Sequence, residues 1–205
     1  MPKTKLTKGE LKRQRDALKQ YKRYLPTLQL KKQQLQMNIL RESRIFDEKE
    51  KEKSKKLNQI KLWAGLLSDN EVEIKEWVVP KEVITGIKNI AGVNIPVFER
   101  VGFAPCEYDL FTAPLWVDRA IDDLKDFISI KKEAETIEKS ISVLKKELRI
   151  TTQRVNLFEK VKIPEAEEII RLIKIYIGDQ MTNAVGRSKI AKRKIEEAVL
   201  EDARV

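Results

Sequence analysis

Residues 116–158 read WVDRAIDDLKDFISIKKEAETIEKSISVLKKELRITTQRVNLF, and one apolar stripe runs through them. Stepping alternately by four and three from Trp116 meets Ala120, Asp123, Phe127, Ile130, Ala134, Ile137, Ile141, Leu144, Leu148, Thr151, Val155 and Phe158, with Asp123 and Thr151 as the interruptions. That alternation averages about 3.5 residues per turn, which keeps the stripe against a partner helix only if the pair supercoils with a left hand. The pattern therefore predicts a coiled-coil helix. The stretch contains neither proline nor glycine, the usual breakers, from residue 115 to residue 163.

The partner lies earlier in the same chain. Residues 27–64 also lack proline and glycine, and Leu11, Leu18, Tyr21, Leu25, Leu28, Leu35, Ile39 and Phe46 share a stripe interrupted by Gln14, Lys32 and Glu42. A shifted stripe of Leu57, Ile60, Trp63 and Leu67 follows. Either helix alone would expose its seam, so pairing the two within one chain buries both. Four of the seven prolines (Pro80, Pro96, Pro105, Pro114) and three of the seven glycines (Gly86, Gly92, Gly102) crowd into the segment between them. The chain thus divides into an N-terminal coiled-coil arm at 1–68, an irregular insert at 69–115 and a C-terminal arm at 116–205, together one elongated domain. The fold class is mainly α: two very long antiparallel helices in a left-handed coiled coil, with a short β-hairpin in the insert. The hairpin is read from two β-branched runs, 83–90 and 95–101, around Ala91-Gly92-Val93-Asn94. Pro96 sets the second run at an edge or a start. Residues 103–114 read as an irregular return loop. The C-terminal arm passes through Pro164, because Ile169, Ile170, Leu172, Ile173, Tyr176 and Ile177 resume an apolar face beyond it, and a kink is expected there and at Pro26.

Composition agrees with an elongated helical protein: 36% of the 205 residues are charged and 6% aromatic, a poor recipe for a compact core. No apolar run approaches the roughly 20 residues that span a bilayer, and Lys3, Lys5 and Lys8 open the chain without the apolar core of a secretory signal, so a cytoplasmic location is expected. The single cysteine, Cys106, allows no intrachain disulfide and fits a reducing compartment. The net charge of +10 is unevenly spread, since the first 32 residues hold 11 Lys or Arg against Glu10 and Asp16. Such a charge invites nucleic acid as a partner, but no aromatic interleaving or base-reading motif accompanies it, and a protein surface of opposite charge fits better.

Chemistry-bearing groups are few. The chain has no histidine, neither the G-x-x-x-x-G-K-[ST] nor the G-x-G-x-x-G phosphate loop, and only adjacent carboxylates, Asp122-Asp123 and Glu167-Glu168, which point about 100° apart on a helix and read as solvated surface. No catalytic residue, cofactor or metal ligand is expected.

The run Thr151-Thr152-Gln153-Arg154-Val155-Asn156-Leu157-Phe158-Glu159, followed by Val161-Lys162-Ile163-Pro164, resembles the signature of the V-type ATPase D-subunit family, in which an R-V-N-x-L-E-like run precedes I-P. Arg154, Val155, Asn156, Glu159, Ile163 and Pro164 match; Leu157-Phe158 stands where that family more often has alanine then leucine. Leu6-Thr7-Lys8 and Tyr24-Leu25-Pro26-Thr27-Leu28-Gln29-Leu30-Lys31-Lys32 resemble its bacterial branch. The resemblance spans essentially the whole chain. It implies the central rotor shaft of a V-type rotary ATPase or ATP synthase, itself without catalytic residues. Its implied partners are the catalytic and regulatory head subunits, the small stalk F-subunit and the funnel-shaped subunit on the membrane ring, in a complex held at the membrane without insertion of this chain. Head-facing contacts are expected from Lys12, Arg13, Arg15, Lys19, Lys22, Arg23, Arg154, Asn156, Glu159, Ile163, Pro164, Arg187, Lys192, Arg193 and Lys194, for each of which solvated surface or coil-flank packing is the plainer reading. Expected seam positions are Leu18, Leu25, Leu28, Leu35, Ile39, Phe127, Ile130, Ile137, Ile141, Leu144, Leu148, Val155 and Phe158. A prefoldin-like chaperone arm shares the layout but leaves the R-V-N and I-P run unexplained. The gamma shaft of F-type ATPases carries a full α/β domain for which the insert is too short.

Overall fold

A computed structural model of the chain describes residues 5–65, 74–106, 114 and 116–202. The elements are α1 (Lys8–Trp63), α2 (Lys75–Val78), β1 (Pro80–Ile90), β2 (Val93–Phe103), α3 (Trp116–Leu157), one turn of π-helix (Phe158–Lys162) and α4 (Ile163–Asp202). The protein is mainly helical with a two-stranded antiparallel hairpin mid-chain. Leu67 and most of the expected return loop lie outside the described residues.

Contacts group the chain into two compact units, residues 30–152 and residues 1–29 with 153–205, so each arm contributes to both. In the 30–152 unit the charge pairs run Lys31–Glu147 (3.0 Å), Lys49–Glu133 (3.1 Å) and Lys56–Asp126 (3.1 Å). The α1 number rises as the α3 number falls, which is antiparallel pairing. Asp123, an interruption in the α3 stripe, lies 3.4 Å from the same Lys56 ammonium. Beneath these pairs, Leu35 and Leu144 are fully buried together with Ile90 and Ile95 from the hairpin, with Ile39 and Leu148 packed around them. The hairpin therefore staples the two helices. Its docking also explains the burial of Ser140, off the apolar stripe: the hydroxyl lies 2.5 Å from the Pro96 carbonyl oxygen, which accepts from it, and 3.0 Å from the Thr136 carbonyl of its own helix.

The strands pair from Ile90↔Val93 outward to Pro80↔Phe103, with irregularities between Ile84 and Thr85 and between Pro80 and Glu82. Pro96, opposite Ile87, is tolerated because both strands of a two-stranded sheet are edges. The connection is two residues long, Ala91 at φ 52° and Gly92 at φ 78°. Positive φ at both positions matches the right-handed twist of the strands, and Asn89 reinforces the turn by accepting a 3.0 Å bond from the Gly92 N–H. Alanine is the wrong residue for a left-handed conformation. Ala91→Asn is expected to stabilise the 30–152 unit by roughly 0.5–1 kcal/mol, read from its urea midpoint.

A second buried cluster holds Ile74, Val78, Val117, Ala120 and Ile121, with Trp63, Trp77, Trp116, Cys106, Leu124 and Ile128 packed on it. Lys125 reaches this margin, its ammonium 2.9 Å from the Cys106 sulfur and 5.8 Å from the centre of the Phe103 ring.

Hydrogen bonds to Glu52 and Glu133 hold Lys49 above the ordinary lysine pKa, and bonds to Asp126 and Asp123 do the same for Lys56. A raised folded-state value means the stabilisation is complete at neutral pH and is lost as pH climbs through the raised value, above 10.5. Pairs this exposed contribute about 0.2–1 kcal/mol each. The thermal midpoint of the 30–152 unit is therefore expected to stay flat through mildly alkaline pH and to drop by a few degrees only beyond the lysine range, in a pH series of melts. Glu135 and Glu168 carry the opposite sign: hydrogen bonds from Lys132 and Arg171 lower their pKa values, so what they contribute is lost only in acid.

Candidate interaction surface of the 1–29 and 153–205 unit

In this unit α1 packs against the helix that follows α3. The rings of Tyr21 and Phe158 lie 5.4 Å apart, and Lys22 bonds Glu167 at 2.7 Å. Val155, Ala166, Ile170 and Ile173 are buried between the helices, with Phe158, Ile163, Ile169 and Ile177 half-buried. Pro26 sits inside α1, which stays α-helical across it. At Pro164, where a kink is expected, the structure shows a π turn just before the proline: the Ile163 N–H bonds the Phe158 carbonyl, five residues back. Proline has no N–H to give and its ring presses on the carbonyl four residues earlier; the widened turn takes up that conflict while the helix runs on.

All the expected head-facing residues fall in this unit, and all but half-buried Ile163 are exposed. Lys12, Arg13, Arg15, Lys19 and Arg23 share α1 with the bonded Lys22; Arg154 and Asn156 close α3, and Glu159 lies in the π turn. Arg187, Lys192, Arg193 and Lys194 lie on α4, where Lys192 and Arg193 approach Glu196 and Glu197 to 3.6 Å. The expected seam positions of α1 and α3 are buried or half-buried in both units, whereas Leu57 of the shifted stripe is 38% exposed.

Electrostatics separates the two units. Residues 1–29 and 153–205 hold 20 Lys or Arg against 11 Asp or Glu, a surplus of nine that leaves one of the +10 for residues 30–152. On α4 the packed face also continues past its last half-buried residue: after Ile177 come Met181, Ala184, Val185, Ser188, Ala191, Ile195, Ala198 and Val199 at steps of one helical turn. Every residue from 178 to 199 is exposed, with Met181 at 54%, Val185 at 57%, Ile195 at 65% and Val199 at 62%. The basic residues of this stretch stand out in the sequence and the apolar stripe was missed beside them, although its spacing was the available signal. An apolar stripe of this length left exposed and edged by cations is a candidate interaction surface.

A sequence profile of the ATP synthase D-subunit family matches residues 10–193. The chain belongs to that family. The V-type ATP synthase D-subunit of Borreliella burgdorferi is 48% identical over 94% of this chain and 95% of its own length. Its counterpart of the same description from Chlamydia pneumoniae is 32% identical over 94% of this chain and 93% of its own, and that from Chlamydia muridarum 33% over 94% and 96%. Among the described residues, this member of the D-subunit family has no helix long and apolar enough to cross a membrane and no group of three His, Cys, Asp or Glu placed to hold a metal ion.

Proposed function

We propose that this chain is the central stalk, the rotor shaft, of a V-type rotary ATPase or ATP synthase, coupling nucleotide turnover in the head to rotation of the membrane ring and ion movement. The observation that carries this reading is the pairing of family membership with an antiparallel helical pair in which nearly all of the charge surplus and a bare apolar stripe lie in one unit. The basic unit of residues 1–29 and 153–205 enters the ring of catalytic and regulatory subunits, where Lys12, Arg13, Arg15, Lys19, Arg187 and Lys194 face acidic loops. Arg23, Arg154, Lys192 and Arg193 extend the same surface. The unit of residues 30–152, with the hairpin, meets the small stalk F-subunit and the funnel-shaped subunit, and the assembly is held peripherally at the membrane. The shaft contributes no catalytic group. An asymmetric helical pair inside a threefold ring touches each catalytic interface differently, so its orientation biases which interface is open, and nucleotide state biases its orientation in return.

The test is co-expression with the catalytic, regulatory and small stalk subunits of the same operon, followed by size-exclusion chromatography. One copy per head is expected, lost when residues 1–25 and 180–205 are removed together. Exchanging Lys12, Arg13, Arg15 and Lys19 for glutamine is expected to weaken assembly and flatten its salt dependence. Failure of the intact chain to join any head would overturn the reading.

A further inference from the structure

Continuing the three-four alternation of the seam beyond Val155 meets Phe158, Lys162, Glu165, Ile169, Leu172 and Tyr176. The buried residues are instead Ala166, Ile170 and Ile173, with Ile177 half-buried: each lies one residue later. Leu172 and Tyr176 are 46% and 40% exposed. The π turn at Phe158–Lys162 accounts for the offset, because its five-residue bond to Ile163 takes up one residue more than an α turn. One residue is about 100° of helical rotation. The second stripe also carries apolar side chains, Ile169, Leu172 and Tyr176 against Ala166, Ile170, Ile173 and Ile177, with Lys162 and Glu165 as its polar blemishes.

We infer that residues 158–177 form a two-phase packing element: a π phase that presents Ala166, Ile170 and Ile173 to α1, and an α phase, with the extra residue returned to the helix, that presents Ile169, Leu172 and Tyr176. Both phases bury apolar side chains against residues 8–29, so the exchange keeps an apolar seam from Ile169 onward and rotates the helix in place. Pro164 biases the element toward the π phase, since an unbroken α-helix would set its ring against the Lys160 carbonyl. The exposed stripe of Met181, Val185, Ile195 and Val199 belongs to the same helix and turns with it. Interdigitated helices favour two discrete arrangements over continuous deformation, which makes the element a switch rather than a loose joint.

The test uses the full chain in a Cys106→Ser background, with Leu172→Cys or Ile173→Cys as reporters of thiol labelling rate. Pro164→Ala releases the bias and is expected to speed labelling at 173 and slow it at 172, each by about tenfold. Deleting Val161 together with Pro164→Ala fixes the observed stripe in an unbroken α-helix and is expected to slow labelling at 173 by about tenfold. Unchanged labelling at both positions in the Pro164→Ala chain overturns the proposal. Amide exchange of the chain without reporter cysteines is independent of any damage they do to the core. Amides 159–163 are expected to exchange about tenfold faster than 151–157, and to lose that difference in the deletion variant. Equal exchange in the two stretches overturns it as well.

Discussion

Replacing Leu144 by alanine is expected to cost about 3 kcal/mol and to lower the melting midpoint of the 30–152 unit by roughly 10 °C. Leu144 is fully buried where α1, α3 and the hairpin meet, against Leu35, Ile90 and Ile95. Truncation removes its transfer free energy and leaves a void lined by three separate elements, each tied down elsewhere: Ser140 holds Pro96, the turn holds Asn89, and Lys31 pairs with Glu147. A site so constrained collapses poorly, which places the cost well inside the range for leucine-to-alanine changes in cores. The control is Leu62→Ala on α1, where the side chain is 88% exposed and the expected change is within about 0.5 kcal/mol. Urea unfolding followed by circular dichroism distinguishes the two. A Leu144→Ala midpoint equal to that of Leu62→Ala would mean that the hairpin does not bind the helices together.

The second large effect is expected in assembly and not in folding. Exchanging Met181, Val185 and Ile195 for glutamine leaves helicity unchanged, because all three are more than half exposed and glutamine is a good helix former. Affinity for the catalytic and regulatory head is expected to fall by roughly 100-fold or more, as three apolar side chains lose their burial at the contact. Charge is untouched by these exchanges, so a loss of binding with unaltered salt dependence assigns the effect to the apolar stripe. Neutralising Lys12, Arg13, Arg15 and Lys19 alters the salt dependence instead. Binding unaffected by the glutamine exchanges would remove the α4 stripe from the contact.

Much of this was legible from residue spacing. The α3 stripe was readable because a buried seam must repeat with the helix, and even Asp123 breaks it harmlessly by pairing with Lys56 at the flank. The hairpin was readable from two β-branched runs around Gly92, but not the positive φ at Ala91, which the strand twist imposes against that residue's own preference. Burial of Ser140 was not readable, since it follows from where the hairpin docks and not from any periodicity in α3. At Pro164 local chemistry announced a conflict without saying how it resolves; the phase of Ala166, Ile170 and Ile173 against Val155 contains the answer, one residue of excess that a π turn absorbs. The charged surface residues could be collected by composition and resemblance. The apolar stripe of α4 beside them was spelled out in its spacing, but their shared location in one unit, and the exposure of that stripe, emerged only from the structure.

All three tryptophans of the chain, Trp63, Trp77 and Trp116, pack on a single buried cluster within residues 30–152. Intrinsic tryptophan emission therefore reports that cluster alone, while residues 1–29 and 153–205, which hold no tryptophan, can melt, bind or change phase without altering it. An emission-monitored transition and a far-ultraviolet dichroism transition record different events in this chain, and their failure to coincide measures how independently its two parts come undone.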